Sequence, residues 1–337
     1  MDRNRQWLLA RRPTGQIVRT DFTWVEDGPM PALADGEVRV RTLCLSVDPT
    51  QRGWISMDTY LPAVKIGEVV RSFAAGRIVE SKDPRFAVGD LVQGLFGWQD
   101  FVVTSPGRPA TPSPLVPGVS IETALSILGL TGITAYFGLL DVGRPQPGET
   151  VVVSGAAGAT GSAVGQIARI KGCTTVGIAG GADKCRYVVD ELGFDVAIDY
   201  KAEDVAVRLK EACPRGIDVY FDNVGGAILD AALANLAMRG RVVLCGAIAR
   251  YNQGQKEMVG PRNYLNLLLR RGRMEGFIVL DYMPRAAEAV GALSAWLGEG
   301  RIKDRVDVAH GLDNAPETLA RLFRGDNQGK QLLRIAD

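Results

Sequence analysis

Histidine is almost absent: His310 is the only one in 337 residues. A zinc centre would have to combine one imidazole with scattered thiols, and a histidine-based triad has one candidate. His310 itself reads as a structural or surface residue. The five cysteines, Cys44, Cys173, Cys185, Cys213 and Cys245, are far apart and make no C-x-x-C pair. That spacing indicates neither a zinc ribbon nor a disulfide framework, and they read as small buried hydrophobes in a reducing compartment. Excess charge is missing too. Lys and Arg number 39 against 38 Asp and Glu, a formal net charge of +1, which offers no general attraction for nucleic acid or an anionic membrane. No run is long and apolar enough to span a bilayer, and the polar start, Met1-Asp-Arg-Asn-Arg-Gln-Trp7, has no signal-peptide pattern. The expectation is a soluble, cytoplasmic protein that engages neither nucleic acid nor membrane.

Glycine, by contrast, is plentiful, and its most telling cluster lies in Val151-Val-Val-Ser-Gly-Ala-Ala-Gly-Ala-Thr-Gly161. The β-branched start predicts a buried strand. The glycines predict a turn, and Val164, Ile167 and Ala168 predict one face of a following helix. Strand, glycine-rich turn and helix are the context of a dinucleotide-binding fingerprint, where the backbone approaches a pyrophosphate at a helix N-terminus. The strict G-x-G-x-x-G is not met, because Ala156 stands at the first glycine's place, with Gly158 and Gly161 in the other two.

Around this stretch the chain changes character. The first third reads as short strands (Val38–Val47, Ala75–Glu80, Asp90–Gly94) broken by Asp35-Gly36, Asp48-Pro49, Asp83-Pro84 and Gly89-Asp90 turns, a pattern that predicts a small barrel. A proline-rich segment, Pro106–Pro117, ends it. From about Ile121 strands alternate with helices. Strands are predicted at Thr175–Ala179, Asp195–Asp199, Ile217–Phe221, Arg241–Cys245 and near Met274–Val279, and helices at Asp183–Leu192, Ala227–Met238 and Arg285–Leu297. That rhythm predicts a doubly wound parallel sheet. From Arg301 the chain departs from it, with a helix at Pro316–Arg324 and a strand at Gln331–Ile335 that are placed back with the first domain.

The second strand of such a sheet usually ends in Asp or Glu when the cofactor is NAD. Here it runs out as Ile178-Ala-Gly-Gly-Ala-Asp-Lys184, with glycines at the strand end and a lysine one turn on. Loss of the acid and gain of an ammonium suit the 2′-phosphate of NADP. The alternative is that Lys184 is a solvated first-turn residue and Asp183 a helix cap.

These motifs, with others spread over nearly the whole chain, resemble a known family. The residues are Asn4-Arg-Gln-Trp7, Leu45-Ser-Val-Asp-Pro49 with Arg52-Gly53, Gly129-Leu-Thr-Gly-Ile-Thr-Ala-Tyr-Phe-Gly138 and Pro147-Gly-Glu-Thr150. They continue with Ala156-Ala-Gly-Ala-Thr-Gly161, Asp199-Tyr-Lys201, Phe221-Asp-Asn-Val-Gly-Gly226, Tyr251-Asn252 and Gly325-Asp-Asn-Gln-Gly-Lys330. The sequence resembles the zinc-independent medium-chain dehydrogenase/reductases, in the branch of leukotriene 12-hydroxydehydrogenase/prostaglandin reductases and related double-bond reductases. The resemblance implies a GroES-like β-barrel domain over 1–125, completed by 301–337, and a Rossmann NADP-binding domain over 126–300, in a chain that forms homodimers. It implies that Gly158, Ala159, Thr160 and Gly161 follow the pyrophosphate and that Lys184 and Tyr200 meet the 2′-phosphate. Asn223, Cys245, Gly246, Ala247, Phe277, Ile278, Val279 and Asn327 would complete the NADP(H) site. Asn223 ordering a turn and Tyr200 packing a strand end remain open as plainer readings. Two departures stand out: Thr131 replaces a proline common in relatives, and Arg71-Ser-Phe-Ala-Ala75 replaces a glycine-rich stretch bordering the substrate cleft.

The activity implied is reduction of the C=C bond of an α,β-unsaturated ketone or aldehyde by hydride from NADPH, with no metal. The enolate then needs a hydrogen-bond donor. Tyr251 is the first candidate for that role, since a phenol with a pKa of roughly 10 is a neutral donor at pH 7; Tyr60 is expected to line the substrate pocket. Either ring serving only as a pocket wall stays open, as do an NADPH quinone oxidoreductase and a non-catalytic NADPH-binding protein on the same fold.

Overall fold

The computed structural model describes residues 3–108, 110–253 and 259–336. It divides into two compact units, Met1–Leu125 with Val306–Asp337, and Ser126–Arg305. No helix among the described residues is long and apolar enough to cross a membrane.

The first unit is built on β strands. β1 (Gln6–Leu9) pairs antiparallel with β2 (Phe22–Val25), and β3 (Val38–Ser46) is the backbone of a larger sheet. After a single helical turn, α1 (Gln51–Trp54), come β4 (Ala74–Ser81), β5 (Leu91–Gly94), β6 (Phe101–Thr104) and the short β7 (Ser113–Pro114), then α2 (Ile121–Leu125). Valines alternate inward only at the start of β3, where Val38 and Val40 are buried and Arg41 is exposed; from Thr42 to Ser46 every residue is buried. The change has a cause in packing. Leu45 faces the main core with Trp7, Phe22, Phe96 and Trp98, whereas Cys44 faces a second cluster with Ala75, Leu115 and Leu125. A strand covered on both faces has no solvent side to keep polar.

The second unit opens with α3 (Leu130–Phe137), which widens into a π-type turn over Gly138–Gly143. Then β8 (Thr150–Ser154), α4 (Ala159–Ile170), β9 (Thr174–Ala179), α5 (Ala182–Arg186), β10 (Val196–Asp199) and α6 (Val205–Ala212) follow in alternation. The second half holds β11 (Ile217–Asp222), α7 (Gly226–Ala234), β12 (Leu236–Leu244), α8 (Leu265–Leu269), β13 (Arg273–Gly276) and α9 (Ala286–Gly298). The six strands lie in the order β10-β9-β8-β11-β12-β13, each pair parallel. Three elements differ from the sequence reading. The helix expected over Ala227–Met238 stops at Ala234, because the Ile217 N–H donates to Asn235 O (2.9 Å) and Leu236 is already paired in the sheet. The strand expected to reach Val279 ends at Gly276, and a 3₁₀ segment from Val279 to Arg285 contains Pro284. The helix from Asp183 is also not uniform, since it passes into a π-type turn over Tyr187–Glu191.

The chain then supplies β14 (Val306–His310), α10 (Ala315–Arg324) and β15 (Lys330–Arg334) to the first unit. The larger sheet runs β14-β15-β3-β4-β5-β7, with β6 also on β3. β3 therefore carries β6 along Val38–Arg41 and β15 along Cys44–Ser46, and its pairing with β4 is bulged near that handover, at Arg39/Val40 and Thr42/Cys44. Lys330 is buried at 1% exposure; its Nζ donates to Val47 O and pairs with Asp48, so the last strand is tied to the end of β3.

Candidate active site

Strand order reverses between β8 and β11, and ligands of such sheets bind outside the carboxyl ends of the strands at that point. The turn leaving β8 is shaped for close approach. Gly155 adopts φ +63°, a left-handed conformation that a side chain disfavours. Gly161, in the first turn of α4, passes so near it that a Cβ there would lie 2.2 Å from Gly155 O. Gly158 is the N-cap of α4 and provides no capping side chain, which leaves the helix's first-turn N–H groups uncapped by its own chain. A helix N-terminus of this kind favours a phosphate. Ala156 fits in the first glycine's place because the neighbouring strand makes room: a Cβ on Gly177 of β9 would come within 2.9 Å of the Ala156 methyl. The irregular fingerprint is thus compensated across the sheet.

Beneath the turn lies a polar network that sequence reading missed. The Asp222 carboxyl is buried at the end of β11, where Oδ1 accepts from Ser154 Oγ (3.0 Å), Tyr220 Oη (2.9 Å), Val224 N (3.1 Å) and Gly225 N (2.9 Å). Burial pushes its pKa upward, opposed by these same donors. Its carbonyl receives the N–H groups of Cys245 (2.9 Å) and Gly246 (3.0 Å). One residue therefore ties together the ends of β8, β11 and β12. The signal available in sequence was an acid following the apolar run Val219-Tyr-Phe221 at the strand's end, Asp222, a position where buried charge is costly unless bonded. Asn223 joins the same network: its N–H donates to Ser154 Oγ (2.9 Å) and its Nδ2 to Ser154 O (2.7 Å). So Asn223 does order the turn.

After β12 the chain crosses the same edge as Cys245, Gly246 and Ala247, and a 3₁₀ turn over Ile248–Arg250 delivers Tyr251. The Ala247 N–H donates to Tyr251 Oη (3.3 Å). A Cβ on Gly246 would sit 3.2 Å from Asn223 O and 3.4 Å from Tyr251 Oη. The bare backbone of Gly246 thus lets the phenol lie against the loop beside Asn223. The bond from Ala247 uses an oxygen lone pair, so it does not consume the phenol's own proton. Cys245 is half-buried, and desolvation pushes its thiol up to about 12, so little thiolate is present at neutral pH.

At the end of β9, Gly180 and Gly181 stand where an acid is usual in NAD-binding folds. Tyr200 packs its ring on Gly180, where a Cβ would lie 2.8 Å away, while remaining 45% exposed. Lys184 lies in α5, whose N-cap is Gly181, and Arg186 pairs with Asp183. Phe277 follows β13, its ring packing edge-to-face with Phe221 (6.4 Å) and over Gly138, with Ile278 and Val279 next in the chain. Thr131 accounts for the absent proline: in the first turn of α3 its hydroxyl donates to Ser126 O (2.9 Å). Tyr60 and Asn327 belong to the other unit, where Tyr60 Oη shares a hydrogen bond with Thr50 Oγ1 (2.7 Å) and Asn327 Nδ2 donates to Gly329 O (3.0 Å). Among the described residues no group of three or more His, Cys, Asp or Glu could hold a metal ion.

Two family models match this chain: an N-terminal domain of oxidoreductase over residues 5–111, and a zinc-binding dehydrogenase over 159–295. The chain is 41% identical to the NADPH-dependent curcumin reductase of Escherichia coli (strain K12), over 99% of this chain and 97% of that protein. It is 39% identical to the 2-alkenal reductase (NADP(+)-dependent) of Nicotiana tabacum, over 99% and 98%. The chain belongs to the zinc-independent medium-chain dehydrogenase/reductases, among the NADPH-dependent double-bond reductases. Within this family, the crystal structure of CurA in complex with NADPH from Vibrio vulnificus superposes with a TM-score of 0.92 at 38% identity, covering 99% of both chains. The build of a β-rich unit and a doubly wound unit is that of the family's solved structures.

Proposed function

We propose that this protein reduces the C=C bond of α,β-unsaturated ketones and aldehydes with NADPH. The observation that carries the reading is the gathering, at one edge of one sheet, of a glycine cradle, Asn223, Cys245–Ala247 and the Tyr251 phenol. Gly158, Ala159, Thr160 and Gly161 would hold the pyrophosphate, and Lys184 with Tyr200 the 2′-phosphate. Asn223, Cys245, Gly246, Ala247, Phe277, Ile278 and Val279 would hold the nicotinamide half. When bound, NADPH supplies hydride to the β-carbon of the enone.

The chain's own residues then manage charge and proton. Reduction places negative charge on the substrate's carbonyl oxygen, and Tyr251 donates its O–H to that oxygen, stabilising the enolate. The Ala247 N–H, bonded to the same phenol oxygen, steadies the ring and offsets negative charge if the proton is passed on. Asp222 acts one layer below by fixing the loops that carry Asn223 and Cys245–Ala247.

We also propose a cytoplasmic homodimer. Leu265, Leu268 and Leu269 of α8 are 55%, 75% and 64% exposed, near the sheet-edge strand β13, and a second copy would bury them. The activity is tested by following NADPH oxidation with 2-alkenals, enones and quinones, each repeated with NADH. Faster turnover of enones and alkenals with NADPH is expected. Preference for quinones would favour a quinone reductase, and no oxidation with any acceptor would favour a binding protein.

A further inference from the structure

Within the doubly wound unit, the acid missing from the end of β9 is present one strand over. β10 ends in Asp199, paired in register with Ala179. Half-buried there, Asp199 turns one carboxylate oxygen onto main chain: Oδ1 accepts from Gly181 N (2.8 Å) and from Lys201 N (2.9 Å). Its own backbone is held as closely. The Asp199 N–H donates to Glu203 Oε2 (2.7 Å), and its carbonyl accepts from Ala202 N (3.1 Å) and Glu203 N (2.8 Å). Glu203 in turn pairs with Arg208 of α6.

These bonds reach both sides of the corner beyond β9. Gly181 adopts φ +95°, which a side chain disfavours, and it is the N-cap of α5, the helix that bears Lys184. A Cβ on Gly181 would meet nothing within 4 Å, so this turn is held by hydrogen bonds rather than by packing. Tyr200 lies between Asp199 and Lys201; its N–H donates to Ala179 O (3.1 Å) and its ring covers Gly180. Lys184 and Tyr200 therefore stand on separate segments, and one carboxylate oxygen joins the two segments. A carboxylate in a corner read as a phosphate site carries a Coulomb cost. Bonds from two N–H groups to a charged acceptor are strong enough to offset it.

We propose that Asp199 is a positioning residue for the cofactor's 2′-phosphate. By bonding Gly181 and Lys201 through one oxygen, it sets α5, with Lys184, relative to Tyr200, and selectivity for NADPH over NADH depends on that setting. The inference rests on the reading of Lys184 and Tyr200 as the 2′-phosphate ligands. What Asp199 supplies is an acceptor and not a charge, so Asn in its place preserves the brace and Ala removes it.

Calorimetry compares 2′,5′-ADP, which carries the 2′-phosphate without a nicotinamide, with 5′-AMP. The readout is the ratio of the two affinities within one variant, so a general loss of folded protein cancels. Wild type is expected to prefer 2′,5′-ADP by about a hundredfold, as two hydrogen bonds to a phosphate would give. Asp199→Ala should lower that ratio by about tenfold, and Asp199→Asn should keep it within about threefold of wild type. A ratio that Asp199→Ala leaves unchanged or raises overturns the proposal. So does a ratio that falls as far in Asp199→Asn as in Asp199→Ala. Lys184→Ala keeps the two readings apart. A fall in Lys184→Ala but not in Asp199→Ala leaves the phosphate reading standing and removes Asp199. A fall in Asp199→Ala but not in Lys184→Ala removes Lys184 from the phosphate and supports Asp199 as the residue that shapes the corner. A wild type that binds both nucleotides equally removes both.

Discussion

At the scale of single residues the account turns on Tyr251. Its hydroxyl lies against Gly246 and accepts from Ala247, beside Asn223 at the carboxyl edge of the parallel sheet. General acid catalysis contributes roughly 100-fold or more, so Tyr251→Phe should lower kcat for an enone by about that factor and leave NADPH binding, read by fluorescence, near wild type. A loss under about threefold would remove Tyr251 from the chemistry. Cys245 gives a second check, on pH. With its thiol raised to about 12, the thiolate is scarce throughout the neutral and mildly alkaline range, and it grows only as pH nears that value. Iodoacetamide at pH 8.5 should leave Cys245 unmodified in the native protein by peptide mass mapping, although it labels the denatured chain. Labelling at the rate of a free thiol would contradict the raised thiol of this half-buried residue. Asp222 illustrates what residue-level sequence reading misses. Its role comes from the ends of β8 and β11 meeting over its carboxyl while the end of β12 bonds its backbone carbonyl, and nothing in the local string of a buried strand says which other loops will reach it.

At the scale of elements, the β8–turn–α4 unit is the most constrained. Gly161 has no room for a side chain against Gly155 O, so Gly161→Val must push the first turn of α4 away from the turn. KM for NADPH should rise at least tenfold, with a lower melting temperature; an unchanged KM would mean that the cradle does not hold the phosphates. This element was legible in sequence because it is local. Three β-branched residues, glycines at a tight turn and an apolar helical face are all written within twenty-one residues, 151–171. The compensation of Ala156 by Gly177 was not legible, since it depends on the register of β8 with β9. The overlong helix at Ala227–Met238 failed for a related reason. Leu236, Ala237 and Met238 suit a helix as well as a strand, and the parallel pairing of Ile217 with Leu236 decides between them.

For the whole molecule, alternation of strands and helices revealed the doubly wound unit, and the sequence's expected return near Arg301 lies close to Val306, from which the chain groups with the first unit. The handover of β3 from β6 to β15 stayed hidden, because it sets residues 38–46 against partners more than fifty and nearly three hundred positions away. The exposed leucines of α8 carry the prediction at this scale. Leu268→Glu should convert a dimer to a monomer in sedimentation velocity without unfolding the chain, since the residue is 75% exposed within one copy. A wild-type protein that sediments as a monomer would remove the dimer, and a variant that stays dimeric would move the interface elsewhere.

The central claim, that the enzyme reduces a C=C bond with hydride from NADPH, is tested most directly by the position of a label. NADPH deuterated at the transferred position of the nicotinamide is incubated with an enone and the enzyme, and the product is read by NMR. The account predicts the saturated ketone with deuterium on the β-carbon and solvent hydrogen on the α-carbon. An allylic alcohol with deuterium on the carbinol carbon would contradict it.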